Sequence, residues 1–168
     1  KHWWVYVRWW IGEKIVRTRK RRLYELYNIN EVKKINKIGV LLSAYNSEYY
    51  IDECLQPWME LKGELDISFA CVSGMYKEYI DFGFKSRNKG TLSMLANYEL
   101  DYLLSTGPKS LLGENDSKNA ALNVIKNQCD IFWILDSDEL YTEKQIRDII
   151  KYIETTPEYD WYSVNLKN

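Results

Sequence analysis

Ile131 to Leu135 read Ile-Phe-Trp-Ile-Leu without a polar interruption, and Asp136-Ser137-Asp138-Glu139 follow at once. A strand that lacks polar alternation must be covered on both faces, the condition of a strand inside a parallel sheet packed between helices. Four polar positions directly after such a strand place acidic groups at its carboxyl end. This pairing of a doubly buried strand with an acidic exit restricts the chain to an α/β architecture more than any other feature.

The same alternation extends to both sides. Ile38 to Asn46 (IGVLLSAYN) read as a second buried strand, and Leu65 to Gly74 (LDISFACVSG) as a third. Between them Ile51, Cys54, Leu55 and Trp58 recur at helical spacing, with Ser47 available as an N-cap. Pro57 predicts a kink there or a short second helix. Met94 to Ser105 read as a helix closed by Gly107-Pro108. Asn115, Asp116 or Ser117 can cap a helix through Lys126 that turns Ala120, Ala121, Val124 and Ile125 inward. Thr142 and Gln145 form a T-x-x-Q capping box. Ile146, Ile149, Ile150 and Ile153 mark the apolar face of the helix it starts, which Pro157 closes. Asp160 to Asn168 read as a last strand. Strands alternating with helices predict a mainly parallel sheet with flanking helices and right-handed crossovers.

Composition narrows the chemistry. The 168 residues suit one domain, or one domain plus a tail, and 46% hydrophobic with 28% charged residues excludes wholesale disorder. Cys54, Cys71 and Cys129 are odd in number and widely spaced, which argues against a disulfide framework and for a reducing, cytoplasmic setting. His2 is the single histidine, which argues against a His-based triad and a His-rich metal site. No run approaches the about 18 apolar residues of a membrane span. The formal net charge of −1 makes no case for nucleic-acid binding. That average hides a split: residues 1–37 carry 11 Lys/Arg and 3 Asp/Glu, whereas residues 38–168 carry 12 and 21. Trp3, Trp4, Trp9 and Trp10 also fall in the first stretch. Residues 1–37 therefore read as a basic, Trp-rich N-terminal extension and residues 38–168 as the domain. Two readings of residues 1–22 stand: a peripheral membrane contact, with Trp at headgroup depth and basic residues on anionic lipid, or a remnant of a preceding element.

In a parallel sheet, ligands bind beyond the carboxyl ends of the strands. No G-x-G-x-x-G follows the first strand and no G-x-x-x-x-G-K-[ST] occurs, which disfavours dinucleotide and P-loop sites. Asp136 and Asp138 stand two apart, and in extended backbone such positions point the same way. Two converging carboxylates repel unless a cation or a shared proton intervenes. An all-oxygen donor pair without His or Cys suits Mg²⁺ or Mn²⁺, with water and substrate phosphate completing the shell. The plain alternative is an acidic strand-to-loop turn.

Three segments together resemble glycosyltransferase family 2 and its relatives of the GT-A fold: IGVLLSAYNSEYYIDECLQPW, GENDSKNAALNVIKN and DIFWILDSDELYTEKQI, in that order. The resemblance spans about residues 38–168. It implies a Rossmann-like nucleotide-diphospho-sugar transferase fold, incomplete at the C-terminus, that holds the donor-binding half. By this likeness Ala44, Tyr45 and Asn46 line the nucleotide pocket, with Ser73 at the next strand end, although Tyr45 fits a core position nearly as well. Lys118 stands where the family usually carries Arg and would reach the diphosphate; an exposed helix lysine is the alternative. Asp138 matches the direct metal ligand and Asp136 its partner toward ribose and metal. Glu139 is a weaker third acid, equally compatible with a solvated one. The implied activity is metal-dependent sugar transfer from a nucleotide diphosphate, UDP by default, to an acceptor hydroxyl.

One departure concerns the base. The family's acid-rich turn after the second of these strands is replaced by Cys71-Val72-Ser73-Gly74, and the nearest acid is Glu78. No residue after Asp138 presents itself as a general base, so the catalytic base is expected beyond the C-terminus. The rival readings are a nucleotide-sugar-binding module without turnover, an interaction domain with an acidic loop, and a haloacid dehalogenase-like phosphatase. The last also places D-x-D after an apolar strand, but near the start of its chain.

Overall fold

The computed structural model describes residues 3–5, 34–85, 88–105, 113–156 and 161–164, without the side chains of 3–5, Glu78 and Glu114. In chain order the elements are β1 (Trp3–Val5), β2 (Lys37–Ala44), α1 (Ile51–Leu61), β3 (Asp66–Ser73), α2 (Lys77–Asp81), α3 (Lys89–Leu95), β4 (Tyr102–Ser105), α4 (Glu114–Ile125), β5 (Ile131–Asp136), α5 (Glu143–Thr155) and β6 (Trp161–Tyr162). The strands form one sheet in the order β4-β3-β2-β5-β1-β6, and every pairing is parallel. Its main body is β4-β3-β2-β5, an α/β arrangement with flanking helices as the alternation predicts.

Residue parity sorts the core into two layers. Ile38, Val40, Leu42 and Ala44 of β2, with Ile131, Trp133 and Leu135 of β5, face α1, α3 and α5. Leu41, Phe132 and Ile134 face α4 through Ala121 and Ile125. Both faces of β5 are thus covered, which is why its sequence shows no polar alternation. On the first face Trp58 and Trp133 meet edge to face at 4.8 Å, and Tyr141 meets Trp133 in the same way at 5.2 Å. On the second, Gly39 lets Phe132 and Ile125 close over β2. A Cβ at that position would stand 2.8 Å from Phe132 Cδ1 and 2.9 Å from Ile125 Cδ1.

Several local expectations are corrected. Tyr102–Ser105 is a strand and not the end of a helix; α3 stops at Leu95, and Tyr102 to Ser105 pair along β3. The apolar residues of 94–105 fit helical spacing, but Asp101 accepts the Phe69 N–H at 2.8 Å and draws the segment onto the sheet edge. Ser47 does not cap α1, whose N-cap is Tyr50. α1 also runs through Pro57 as one helix, so no second helix begins there. α4 starts earlier than expected, after Gly113 in extended conformation. The Thr142–Gln145 capping box is present in both directions, and Ile146, Ile150 and Ile153 are buried as the spacing predicts. Within residues 1–37, Trp3–Val5 pair with β5 along Ile131 to Trp133. The remainder of the proposed contact at 1–22, Gly107-Pro108 and Pro157 lie outside the described residues. Among the described residues no helix is long and apolar enough to cross a membrane.

Candidate functional site

The chain runs from β2 outward to β3 and β4, then returns to place β5 on the other side of β2. Connections therefore diverge on either side of β2, and the carboxyl ends of β2, β3 and β5 splay around a crevice. A cavity of about 470 Å³ occupies this position. Ser43 to Ser47 line it from β2, Val72 and Gly74 from β3, and Asp136, Ser137 and Asp138 from β5. Ser117 of α4 and three tyrosines, Tyr50, Tyr76 and Tyr79, complete the wall.

The turn after β2 is fixed from three directions. Asn46 holds the left-handed conformation, φ 52°, which Asn tolerates better than most residues. Its N–H donates to Asn88 Oδ1 at 3.0 Å, and Asn88 Nδ2 donates to Ser73 Oγ at 2.7 Å. The Ser47 N–H donates to Thr91 Oγ1 at 2.7 Å. Ser47 Oγ lies 2.6 Å from Ser137 Oγ, which ties the β2 turn to the β5 turn. The Ser137 N–H continues the strand pairing by donating to Ser43 O at 3.2 Å. Ser43 Oγ and Ser117 Oγ, 2.9 Å apart, join the start of α4 to the same rim.

Of the residues predicted to bind a nucleotide sugar, Ala44, Tyr45, Asn46 and Asp136 line the cavity, as does the predicted metal ligand Asp138. Ser73 does not; it is fully buried, and its hydroxyl serves Asn88 while its neighbours Val72 and Gly74 reach the wall. Lys118 is buried rather than an exposed helix lysine, with Nζ 3.5 Å from Asp136 Oδ1. Asp136 and Asp138 share the cavity for a different reason than the one expected. β5 ends at Asp136, and residues 137–138 form a turn, so the two-residue period of extended backbone does not govern their directions.

Glu139 also departs from the solvated reading. It is 2% exposed, and its Oε2 accepts the Asp136 N–H at 3.2 Å while its own N–H donates to Asp136 O at 3.0 Å. Burial pushes its carboxyl up to about 8. Asp136 and Asp138 push the same way, whereas the backbone bond and Lys118 oppose.

Among the described residues no three His, Cys, Asp or Glu side chains gather as a metal cluster. The carboxylates of Asp136 and Asp138, open on one cavity, are a hard, incomplete donor set. That set fits Mg²⁺ or Mn²⁺ that keeps water and phosphate in its shell, and it does not suit a structural zinc.

Sequence reasoning missed Ser47, Asn88, Thr91, Ser137 and the tyrosine wall. Ser47 and Ser137 had a usable signal, since both sit within three residues of a buried strand's carboxyl end. Asn88 and Thr91 had none, because the turn residues they brace, Asn46 and Ser47, lie more than 40 positions away. Comparison of the chain with protein-family models, curated proteins and solved structures finds no match to any of them.

Proposed function

We propose that the chain binds a nucleotide-diphosphate sugar, UDP-linked by default, and belongs to a metal-dependent glycosyltransferase of the GT-A type, with an acceptor hydroxyl as the second substrate. One observation supports this reading above others: Asp136 and Asp138 open from the end of β5 into a cavity at the strand divergence, with the buried Lys118 ammonium 3.5 Å from Asp136. Mg²⁺ or Mn²⁺, when bound, would supply a Lewis acid for the leaving diphosphate. Asp136 and Asp138 would hold that ion. Lys118 would add a fixed positive charge beside the phosphates, as a point charge rather than a fork. The bonded turn of Tyr45 to Ser47 would position the nucleoside without rearrangement, and the tyrosines offer ring faces to a base or a sugar.

A second reading, nucleotide-sugar binding without turnover, is favoured by one feature of the wall. Its acids are Asp136 and Asp138, which leaves no further carboxylate among the described lining residues to take the acceptor proton. Thermal melts with UDP or GDP and Mn²⁺ test binding. A ligand held at about 100 times its Kd adds roughly 2.7 kcal/mol. Stabilisation that Asp138→Ala abolishes supports the site, and no shift with any nucleotide and metal sinks it. Release of free sugar from the donor then separates turnover from binding alone.

A further inference from the structure

Tyr79, Ile80, Phe82 and Phe84 are 44, 40, 80 and 62% exposed. This run of large apolar side chains occupies the tip of the segment that follows β3. The tip has a defined shape. α2 ends at Asp81, and Gly83 just beyond it takes the left-handed conformation with φ 84°. The Gly83 N–H donates to Ile80 O at 2.9 Å and the Phe84 N–H to Tyr79 O at 3.0 Å. These are the paired bonds of a glycine-ended helix, and the apolar contact that accompanies them is present as Tyr79 and Phe84 meet edge to face at 6.1 Å. Phe82 and Phe84 are thus presented outward on an ordered knuckle.

The charges around the knuckle differ from those of the rest of the domain. Residues 76–89 carry four Lys/Arg and two Asp/Glu, within a stretch 38–168 that carries 12 and 21. Lys77 is paired with Asp81 at 2.5 Å, while Lys85, next to Phe84 in the chain, and Lys89, at the start of α3, are exposed. Lys89 opens α3, where the helix dipole disfavours a cation and no acid is present in the first turn. The Glu48 carboxylate, which accepts from Thr91 Oγ1 at 3.2 Å, reaches the same turn from the segment before α1.

We propose that this knuckle docks on an anionic lipid surface: Phe82 and Phe84 enter the headgroup region, and Lys85 and Lys89 lie against acidic headgroups. The combination of a few aromatic and aliphatic side chains with flanking cations is the chemistry of interfacial binding. A standard protein interface takes about 20–30 residues on each side, whereas the knuckle presents four large apolar side chains. Tyr79 belongs both to the knuckle and to the cavity wall, so docking would set the cavity mouth beside the membrane. The inference does not depend on the proposed transferase reading, because it uses neither Asp136 nor Asp138.

The full chain would be mixed with vesicles of phosphatidylcholine, alone or with about 30% phosphatidylserine. Cys54, Cys71 and Cys129 are buried, and burial pushes Cys71 up to about 12 and Cys129 up to about 11. A Phe82→Cys variant can therefore be labelled selectively with an environment-sensitive dye. Docking predicts a blue shift of that dye on anionic vesicles. It also predicts at least about tenfold weaker co-sedimentation for Phe82→Ser/Phe84→Ser and for Lys85→Glu/Lys89→Glu, the charge effect vanishing in high salt. Vesicle binding that both double variants retain, with no dye shift, would assign the contact to residues 1–22 and overturn the proposal. Absence of vesicle binding overturns it too, as does self-association that the Phe82→Ser/Phe84→Ser variant abolishes while vesicles remain unbound. Circular dichroism confirms that each variant is folded, and the nucleotide–Mn²⁺ melt is read in parallel, so a failure there is recorded separately.

Discussion

Lys118 Nζ stands 3.5 Å from Asp136 Oδ1, and the two ends of this pair see different surroundings: the Lys118 side chain is 10% exposed and that of Asp136 38%. The carboxylate faces the cavity while its counter-ion is held behind it. Lys118 therefore does two opposed things. It occupies a carboxylate that a divalent cation would use, and it supplies a charge that a diphosphate would seek.

Lys118→Met separates these effects. Affinity for Mn²⁺ alone should rise severalfold, because the competing ammonium is gone. Affinity for the nucleotide diphosphate with metal should fall about tenfold, equivalent to about 1.4 kcal/mol. Isothermal titration of each ligand measures both. A parallel fall in both would reduce Lys118 to a structural role.

Glu139→Gln should change how stability depends on pH. The native carboxyl is raised to about 8, above its ordinary value of 4.5. The folded state thus holds a proton that the unfolded chain releases, and stability falls as pH rises between those values. The stabilising contribution is complete below about 4.5 and is lost by about 8. Glutamine can still accept the Asp136 N–H but cannot ionise. Urea melts across pH 5 to 8, with chelator present, should show about 1–3 kcal/mol of gain at the upper end and a flatter profile. An unchanged slope would mean that Glu139 titrates normally.

Asn88→Ala removes the acceptor for the Asn46 N–H and the donor to Ser73 Oγ. Each buried group left unsatisfied costs about 1–3 kcal/mol. A loss of about 2 kcal/mol in chemical denaturation is expected, together with weaker nucleotide binding, because the turn that carries Tyr45 and Asn46 loses its brace. Binding that persists at full strength in the folded variant would show that the turn keeps its shape without Asn88.

The elements that the sequence revealed are those whose signal is local. β5 and β2 are legible because a doubly covered strand needs no polar partner, and the Thr142–Gln145 box because its two bonds join residues three apart. β4 was hidden, since four residues of edge strand carry little pattern and Asp101 bonds to Phe69, 32 positions away. Glu139 looked like one more acid of a polar turn. Only the packed structure shows that Asp136 and Glu139 bond back to each other and bury the second carboxyl. Asp136 and Asp138 were found through their place after β5, although the backbone geometry that joins them is a turn.

Gly39→Ala tests the packing on the α4 side. The added methyl would meet Phe132 and Ile125 at under 3 Å, and both belong to the core. Overpacking of this kind costs typically about 1–3 kcal/mol. The variant should melt several degrees lower with its nucleotide affinity intact below the transition, as read by calorimetry and titration. An unchanged melting temperature would mean that the Phe132 ring can yield.

The central position of β2 also sets an order of events in time. β2 meets β3 after one short helical crossover, but it meets β5 only when residues about 90 positions apart come together, as in the Lys37 N–H to Asp130 bond across 93 positions and the Ser47–Ser137 contact across 90. Closing the longer loop costs more chain entropy, and non-local parallel pairings form slowly. The β2-α1-β3 unit would therefore assemble first, with β5 docking later against a prepared edge. Every cavity residue from the β5 end, Asp136 and Asp138 included, reaches its place in that late step. A chain stalled before it would hold a half-built sheet with an open apolar edge at β2 and without the β5 side of the cavity, so under the proposed metal-dependent reading, acquisition of Mn²⁺ affinity during refolding would report the completion of the fold.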